Sequence, residues 1–171
     1  MLAQNESLLV AYSGGVDSSF LLKVAFELLE ERAVGITAVS PSLPAYEREQ
    51  ARQVARWIGA QQVEIESHEL ENPGYLENTP QRFYFCKNEV YSLLVGYAKD
   101  NGFEAVVDGT NTDDLGDLRP GRQAARQLGV RSPLQEVGLT KAEIRTLARE
   151  IGLPNWDKPL ASKCSPMIFQ P

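Results

Sequence analysis

Apolar and polar positions along this chain follow two alternating rhythms. Residues 7–12 carry the run Leu8-Leu9-Val10, short and continuous, as in a strand buried on both faces. Residues 17–31 then place Phe20, Leu21, Leu22, Val24, Ala25, Leu28 and Leu29 on one helical stripe. The pair repeats. Residues 33–39 read as a second buried strand stopped by Ser40-Pro41, and residues 47–59 as a helix through Ala51, Val54, Ala55 and Ile58 with Gly59 as its stop. Residues 62–66 alternate through Val63 and Ile65, a third strand, and residues 87–101 form a helix ending at Gly102. Ala105-Val106-Val107 opens a fourth strand. Residues 119–128 predict a helix, residues 131–134 a short fifth strand, and residues 140–151 a helix with the capping box Thr140…Glu143 and a Gly152 stop.

Strands that alternate with helices form a parallel sheet covered on both faces. The expected fold is therefore α/β, three layers α/β/α, with a parallel five-stranded sheet. Ligands of such sheets sit beyond the carboxyl ends of the strands. That edge gathers the segment after the first strand, Ser40 after the second, and Gly109-Thr110 after the fourth.

The segment after the first strand reads Ser13-Gly14-Gly15-Val16-Asp17-Ser18-Ser19. Its two glycines permit a sharp turn and close approach to a ligand. The helix that follows aims N–H groups and a partial positive charge at an anion. Ser13, Ser18 and Ser19 add hydroxyls, and Asp17 adds a carboxylate suited to Mg2+. No Gly-Lys-Ser/Thr follows, so it is not a Walker A loop, and no Gly-x-Gly-x-x-Gly dinucleotide pattern is present. A serine-capped strand–helix junction is the plainer alternative; six specified positions in the right context favour a phosphate loop.

Three further clusters carry candidate chemistry. Asp108-Gly109-Thr110-Asn111-Thr112-Asp113-Asp114 offers a tight turn, a hydroxyl donor and acids that can hold Mg2+ or a polar substrate. Alone it reads equally as a solvated surface turn; its place on the same sheet edge as the serine loop favours a site. Gln81-Arg82-Phe83-Tyr84-Phe85-Cys86-Lys87 precedes a predicted helix. Arg82 and Lys87 can clamp phosphate or carboxylate, the aromatics can stack or anchor a core, and Cys86 reads as a small buried hydrophobe. Cys164 lies beside Lys163, which can lower a thiol pKa and favour a nucleophile or sulfur carrier, or it is an incidental cysteine in a tail.

Composition narrows the classes. At 171 residues the chain is one domain by size, and its charged (23%) and hydrophobic (43%) shares suit a globular protein. No apolar run is long enough for a transmembrane helix, and the first residues do not read as a secretory signal. Two cysteines far apart point to free thiols in a reducing, cytoplasmic setting. A net charge of −6 disfavours nucleic acid as a partner. The single histidine, His68, sits among Glu66, Ser67 and Glu69 and reads as a surface residue, so no Ser-His-Asp hydrolase is supported.

The serine–glycine hexapeptide resembles the pyrophosphate loop of the N-type ATP pyrophosphatases, the PP-loop superfamily. An ordered set of segments makes the resemblance closer. These are Ser13–Ser18, residues 38–44 (Ala-Val-Ser-Pro-Ser-Leu-Pro), Arg82-Phe-Tyr-Phe-Cys-Lys87, Asp108-Gly-Thr-Asn111 with Asp113-Asp114, Leu118-Arg-Pro-Gly121, Gly129-Val-Arg-Ser-Pro-Leu134 and Trp156-Asp-Lys-Pro159. Together they resemble the LarE family of ATP-dependent sacrificial sulfur transferases, over about residues 7–159. The resemblance implies a Rossmann-like, adenine nucleotide alpha hydrolase-like domain over residues 1–158. Residues 159–171 would open a C-terminal region that is truncated or missing. It implies ATP and Mg2+ as cofactors, with ATP at Ser13, Gly14, Gly15, Val16, Asp17, Ser18, Ser19, Ser40, Gly109 and Thr110, and the metal at Asp17. Lys87 and Cys164 would be catalytic, and Arg82, Phe83, Asp114 and Arg119 would bind substrate.

The reaction so implied adenylates a carboxylate of pyridinium-3,5-biscarboxylic acid mononucleotide. Sulfur then passes from the enzyme's own cysteine, in building the nickel-pincer nucleotide cofactor of lactate racemase. The partner is then a small nucleotide, with neither nucleic acid nor membrane, and a homo-oligomer is expected where the C-terminal region is present. Cys164 lies five residues after Pro159, and Ser165-Pro166-Met167 departs from the Ser-Arg-x-Pro-Tyr-Gly-like run of the family. Two other readings stand beside this one: a different PP-loop adenylating enzyme (amidotransferase, NAD synthetase or tRNA thiolase type), and a nucleotide-binding domain without turnover.

Overall fold

A computed structural model of the protein describes residues 2–41, 43–67, 82–116 and 120–159, with backbone only for 82–86, 115–116 and 120–122. Four parallel strands make the sheet: β1 (Leu8–Ala11), β2 (Ala33–Val39), β3 (Gln62–Glu66) and β4 (Ala105–Asp108), in the order β3-β2-β1-β4. The helices are α1 (Val16–Leu29), α2 (Ala45–Ile58), α3 (Arg82–Asp100), α4 (Pro120–Gln127), α5 (Pro133–Glu136) and α6 (Lys141–Glu150).

Strand periodicity sorts the core into two layers. Leu8 and Val10 of β1 pack into a cluster with Leu21 and Leu22 of α1, Ala55 and Ile58 of α2, and Ile144 and Ala148 of α6. Leu9, between them in sequence, joins Val34 and Ile36 of β2 in a cluster with Tyr91, Leu94 and Ala98 of α3 and Ala124 of α4. One-residue alternation in a central strand thus feeds both faces, and Leu8, Leu9 and Val10 are all fully buried. Edge strand β3 has a different solution. Its Glu64 is clamped by Arg48 and Arg52 of α2, at 2.5 and 2.7 Å. Four hydrogen bonds from these two guanidinium groups hold its carboxyl down at about 2.

Two predicted elements are corrected. The expected fifth strand over 131–134 is a single parallel bridge, Val107 with Arg131, after which the chain turns into α5. Pro133 has no N–H for a ladder, and at the first turn of a helix none is needed. Second, the helix expected from residue 87 begins at Arg82, so residues 82–86 form its first turns rather than a loop. No proline or glycine stands between Arg82 and Val95 to stop it. The Thr140 capping box forms as expected, with both reciprocal hydrogen bonds present.

The chain steps outward from β1 to β2 to β3, then returns to β4 on the other side of β1. The strand order therefore reverses between β1 and β4, where a doubly wound sheet opens a crevice at its carboxyl edge. Ala11 pairs with Asp108 in register. The serine loop and the Gly109 turn consequently leave the sheet side by side.

Candidate functional site

The loop between β1 and α1 is stitched by its own hydroxyls. Ser18 Oγ accepts from the Ser13 backbone N–H at 3.2 Å, donates to the Gly15 carbonyl at 3.1 Å and lies 3.1 Å from Ser13 Oγ. Gly15 is the N-cap of α1, and no side chain caps the helix there. The first-turn N–H groups at the positive end of the helix dipole thus carry no side-chain cap. Gly14 adopts φ +70°, and α2 presses on it so closely that a Cβ would stand 2.6 Å from Ala51 Cβ. Tyr12, just before the loop, donates to the Ala51 carbonyl at 2.8 Å and fixes that approach. Burial pushes the Tyr12 phenol up to about 12, so it remains a donor.

The second loop abuts the first. A Cβ on Gly109 would lie 2.8 Å from the Ser18 backbone nitrogen and 3.0 Å from the Asp17 carbonyl carbon. Glycine is required here by backbone proximity. Asp108, buried at the end of β4, organises this turn. It accepts from Thr110 N at 3.1 Å, Thr110 Oγ1 at 2.9 Å and Ser132 Oγ at 2.7 Å, and from the Tyr91 hydroxyl. Lys87 Nζ donates to Tyr91 Oη at 3.3 Å, so Lys87 joins the site from the β4 side through Tyr91 and Asp108.

Asp17 points from the first turn of α1 to Lys141, the first residue of α6, and pairs with its ammonium through Oδ2. Its Oδ1 is buried and has no hydrogen-bond partner among the described residues. Burial raises the Asp17 pKa; Lys141 pulls it back, the charge of Asp114 raises it further and Arg145 lowers it. Asp113 accepts from the Lys141 backbone N–H at 2.8 Å, and Asp114 from Asn111 N at 3.2 Å. The acidic turn (Thr112–Gly116) is thereby tied to the start of α6.

The structure brings together Ser13, Gly14, Gly15, Val16, Asp17, Ser18, Gly109 and Thr110, with Asp114 near enough to Asp17 to act on it electrostatically. Ser40 is buried at the end of β2. Ser19 is fully buried, and its hydroxyl accepts from Asn155 at 2.9 Å inside the protein. Cys164 and Arg119 lie outside the described residues, as do the side chains of Arg82 and Phe83. Sequence reasoning did not single out Lys141, Asn155, Tyr91 or Ser132. Lys141 had one legible signal, its place directly after the Thr140 cap; Asn155 had its place beside the Trp156-Asp-Lys-Pro159 segment.

No protein-family model matches the chain. Its fold is shared with glutamine-dependent NAD+ synthetase from Acinetobacter baumannii, solved with ADP: TM-score 0.72 at 17% identity, over 94% of this chain and 33% of that one. The architecture is therefore the α/β fold seen in that synthetase domain. An uncharacterised protein of Synechocystis sp. is 49% identical over 88% of this chain and 56% of its own length. Pyridinium-3,5-bisthiocarboxylic acid mononucleotide synthase of Lactiplantibacillus plantarum is 37% identical over 91% of this chain and 56% of its own length. Over that span the chain is similar to this LarE-type synthase, in line with the resemblance its ordered motifs carry. It covers about half the length of the curated relatives it matches. No helix among the described residues is long and apolar enough to cross a membrane.

Proposed function

We propose that this domain binds ATP across the Ser13–Ser18 loop and the Gly109 turn. It transfers AMP to a carboxylate of pyridinium-3,5-biscarboxylic acid mononucleotide, releases pyrophosphate, and passes sulfur from Cys164 to the activated carbon. The observation that carries the reading is an uncapped helix N-terminus under a Gly-Gly loop, lying in backbone contact with a second glycine turn. Such a surface matches the charge that develops on a departing pyrophosphate. The name of the L. plantarum relative supports the choice of acceptor and of sulfur as the group transferred.

A carboxylate does not react with a thiol until its oxygen is made a leaving group. The substrate carboxylate attacks the α-phosphorus, and the bond to the β-phosphate bridge breaks. The Cys164 thiolate then adds to the acyl carbon and AMP leaves, giving a thioester. Loss of the cysteine Cα proton with cleavage of its Cβ–S bond leaves dehydroalanine in the protein and a thiocarboxylate on the product.

Mg2+ fits the donors present. Asp17 Oδ1 is orphaned, and the described residues hold no cluster of three or more metal-ligating side chains. That pattern suits an ion held by one carboxylate together with phosphate oxygens and water. Asp17 would hold the ion, which supplies charge neutralisation to the phosphates. Lys141 keeps Asp17 oriented, and Lys87, through Tyr91 and Asp108, keeps the Gly109 turn in place. Lys158 lies 3.3 Å from the Gly14 carbonyl. Six residues of chain to Cys164 span about 20 Å at most, which keeps the thiol on a short tether from the loop. The setting proposed is the cytoplasm.

Mass spectrometry of the full-length protein after incubation with ATP, Mg2+ and the pyridinium mononucleotide tests the reading. Cys164 should lose roughly 34 mass units, hydrogen sulfide, in step with product. Product formed with Cys164 unchanged would remove the sacrificial role.

A further inference from the structure

The Gly14 carbonyl is held from behind by the segment that follows α6. Asn155 Nδ2 donates to it at 3.0 Å and, with its other hydrogen, to Ser19 Oγ at 2.9 Å. Lys158 Nζ reaches the same carbonyl at 3.3 Å. Asn155 is 92% buried, being 8% exposed, and its Oδ1 has no partner among the described residues. The side chain is therefore held by its donor end alone. The opposite amide orientation would set carbonyl against carbonyl.

The segment behind Asn155 is stiff. Leu153 N donates to Ala148 O at 2.8 Å, Trp156 N to Leu153 O at 3.1 Å and Lys158 N to Asn155 O at 3.1 Å. Arg145 Nη2 holds the Lys158 carbonyl at 3.0 Å, and the Arg149 guanidinium lies 5.1 Å from the Trp156 ring centroid. Asn155 is thus presented from α6 on a fixed turn.

The Gly14–Gly15 peptide is trans, so its C=O and N–H point in opposite directions. With the carbonyl drawn back to Asn155, the Gly15 N–H points to the opposite, hydroxyl side of the loop, where it donates to Ser13 Oγ at 3.4 Å. A reversal of this one peptide would aim a carbonyl oxygen at an anion. Gly14 and Gly15 have no side chains to resist that reversal.

We infer that Asn155 is a positioning residue for phosphate binding: its amide fixes the Gly14–Gly15 peptide so that the loop presents N–H groups to the ligand. This rests on the proposed nucleotide reading. The test is calorimetric titration of the full-length protein with Mg2+ and inorganic pyrophosphate, with thermal unfolding run in parallel. Asn155→Leu keeps the bulk without charge and removes the donor; Asn155→Ala removes both. The inference predicts that Asn155→Leu loses roughly 10- to 100-fold in affinity, at least as much as Asn155→Ala, while remaining folded. Asn155→Leu binding like wild type, with only Asn155→Ala impaired, would mean the residue fills space and would overturn the inference. If the Asn155 variants fail to fold, Lys158→Met, which removes the other donor to the same carbonyl, should weaken binding by roughly 3- to 10-fold. Unchanged affinity there would overturn it as well. Wild-type protein that does not bind pyrophosphate would instead overturn the nucleotide reading, and this inference with it.

Discussion

Gly14→Ala probes the site where its packing is tightest. The left-handed backbone at φ +70° alone costs an alanine about 1–2 kcal/mol. Its methyl would meet Ala51 Cβ at 2.6 Å and Ala51 Cα at 3.0 Å. The Tyr12 hydroxyl holds the Ala51 carbonyl at 2.8 Å, so α2 cannot easily withdraw. Overpacking of this kind adds about 1–3 kcal/mol, for a total of about 2–5 kcal/mol. Ala51→Gly alone removes a buried methyl from a helix interior and costs about 1–2 kcal/mol. In the double variant the methyl–methyl clash disappears while the backbone cost remains. Urea unfolding of the four proteins at one pH should therefore show the double variant more stable than the sum of the single losses, by about 1 kcal/mol or more. Additivity within about 0.5 kcal/mol would refute the claim that α2 and the loop are in closed contact at this point.

Gly109→Ala should cost about 1–3 kcal/mol through its contact with the α1 backbone, whereas Gly96→Ala, with nothing within 4 Å in the interior of α3, should stabilise by about 0.5–1 kcal/mol; thermal unfolding compares them. Lys141→Met leaves the Asp17 carboxylate half-buried without its cation and should destabilise by about 1–3 kcal/mol, and adding Asp17→Asn should restore much of that stability without restoring ATP turnover. The Glu64 carboxyl, held at about 2 in the fold against 4.5 ordinarily, contributes stability that is complete above pH 4.5 and disappears as pH falls toward 2. The urea-midpoint gap between wild type and Glu64→Gln should accordingly be constant near neutrality and close at acid pH.

Much of this architecture was legible in the amino-acid order because local and tertiary signals agree. Leu8-Leu9-Val10 reads as a doubly buried strand, and its residues do feed both core layers. The Thr140–Glu143 box marks the start of α6 by a purely local hydrogen-bond exchange. The expected fifth strand over Arg131-Ser132-Pro133-Leu134 stops at one bridge because Pro133 offers no N–H to a ladder and starts a helix instead. The partners that complete the site were hidden for a different reason. Lys141 meets Asp17 across 124 positions, and Asn155 meets Gly14 across 141. No local period or spacing encodes such pairs; only the packing of α6 beside α1 brings them together. Asp108 was visible as part of its cluster, but its burial under four donors turns it from a surface acid into the anchor of the Gly109 turn.

The central claim is that the paired loops stabilise departing pyrophosphate. The most direct measurement is the phosphorus product spectrum when the full-length protein is given ATP, Mg2+ and the pyridinium mononucleotide. The account predicts AMP and pyrophosphate in equal amounts, dependent on the carboxylate substrate. ADP and orthophosphate as the products would contradict it.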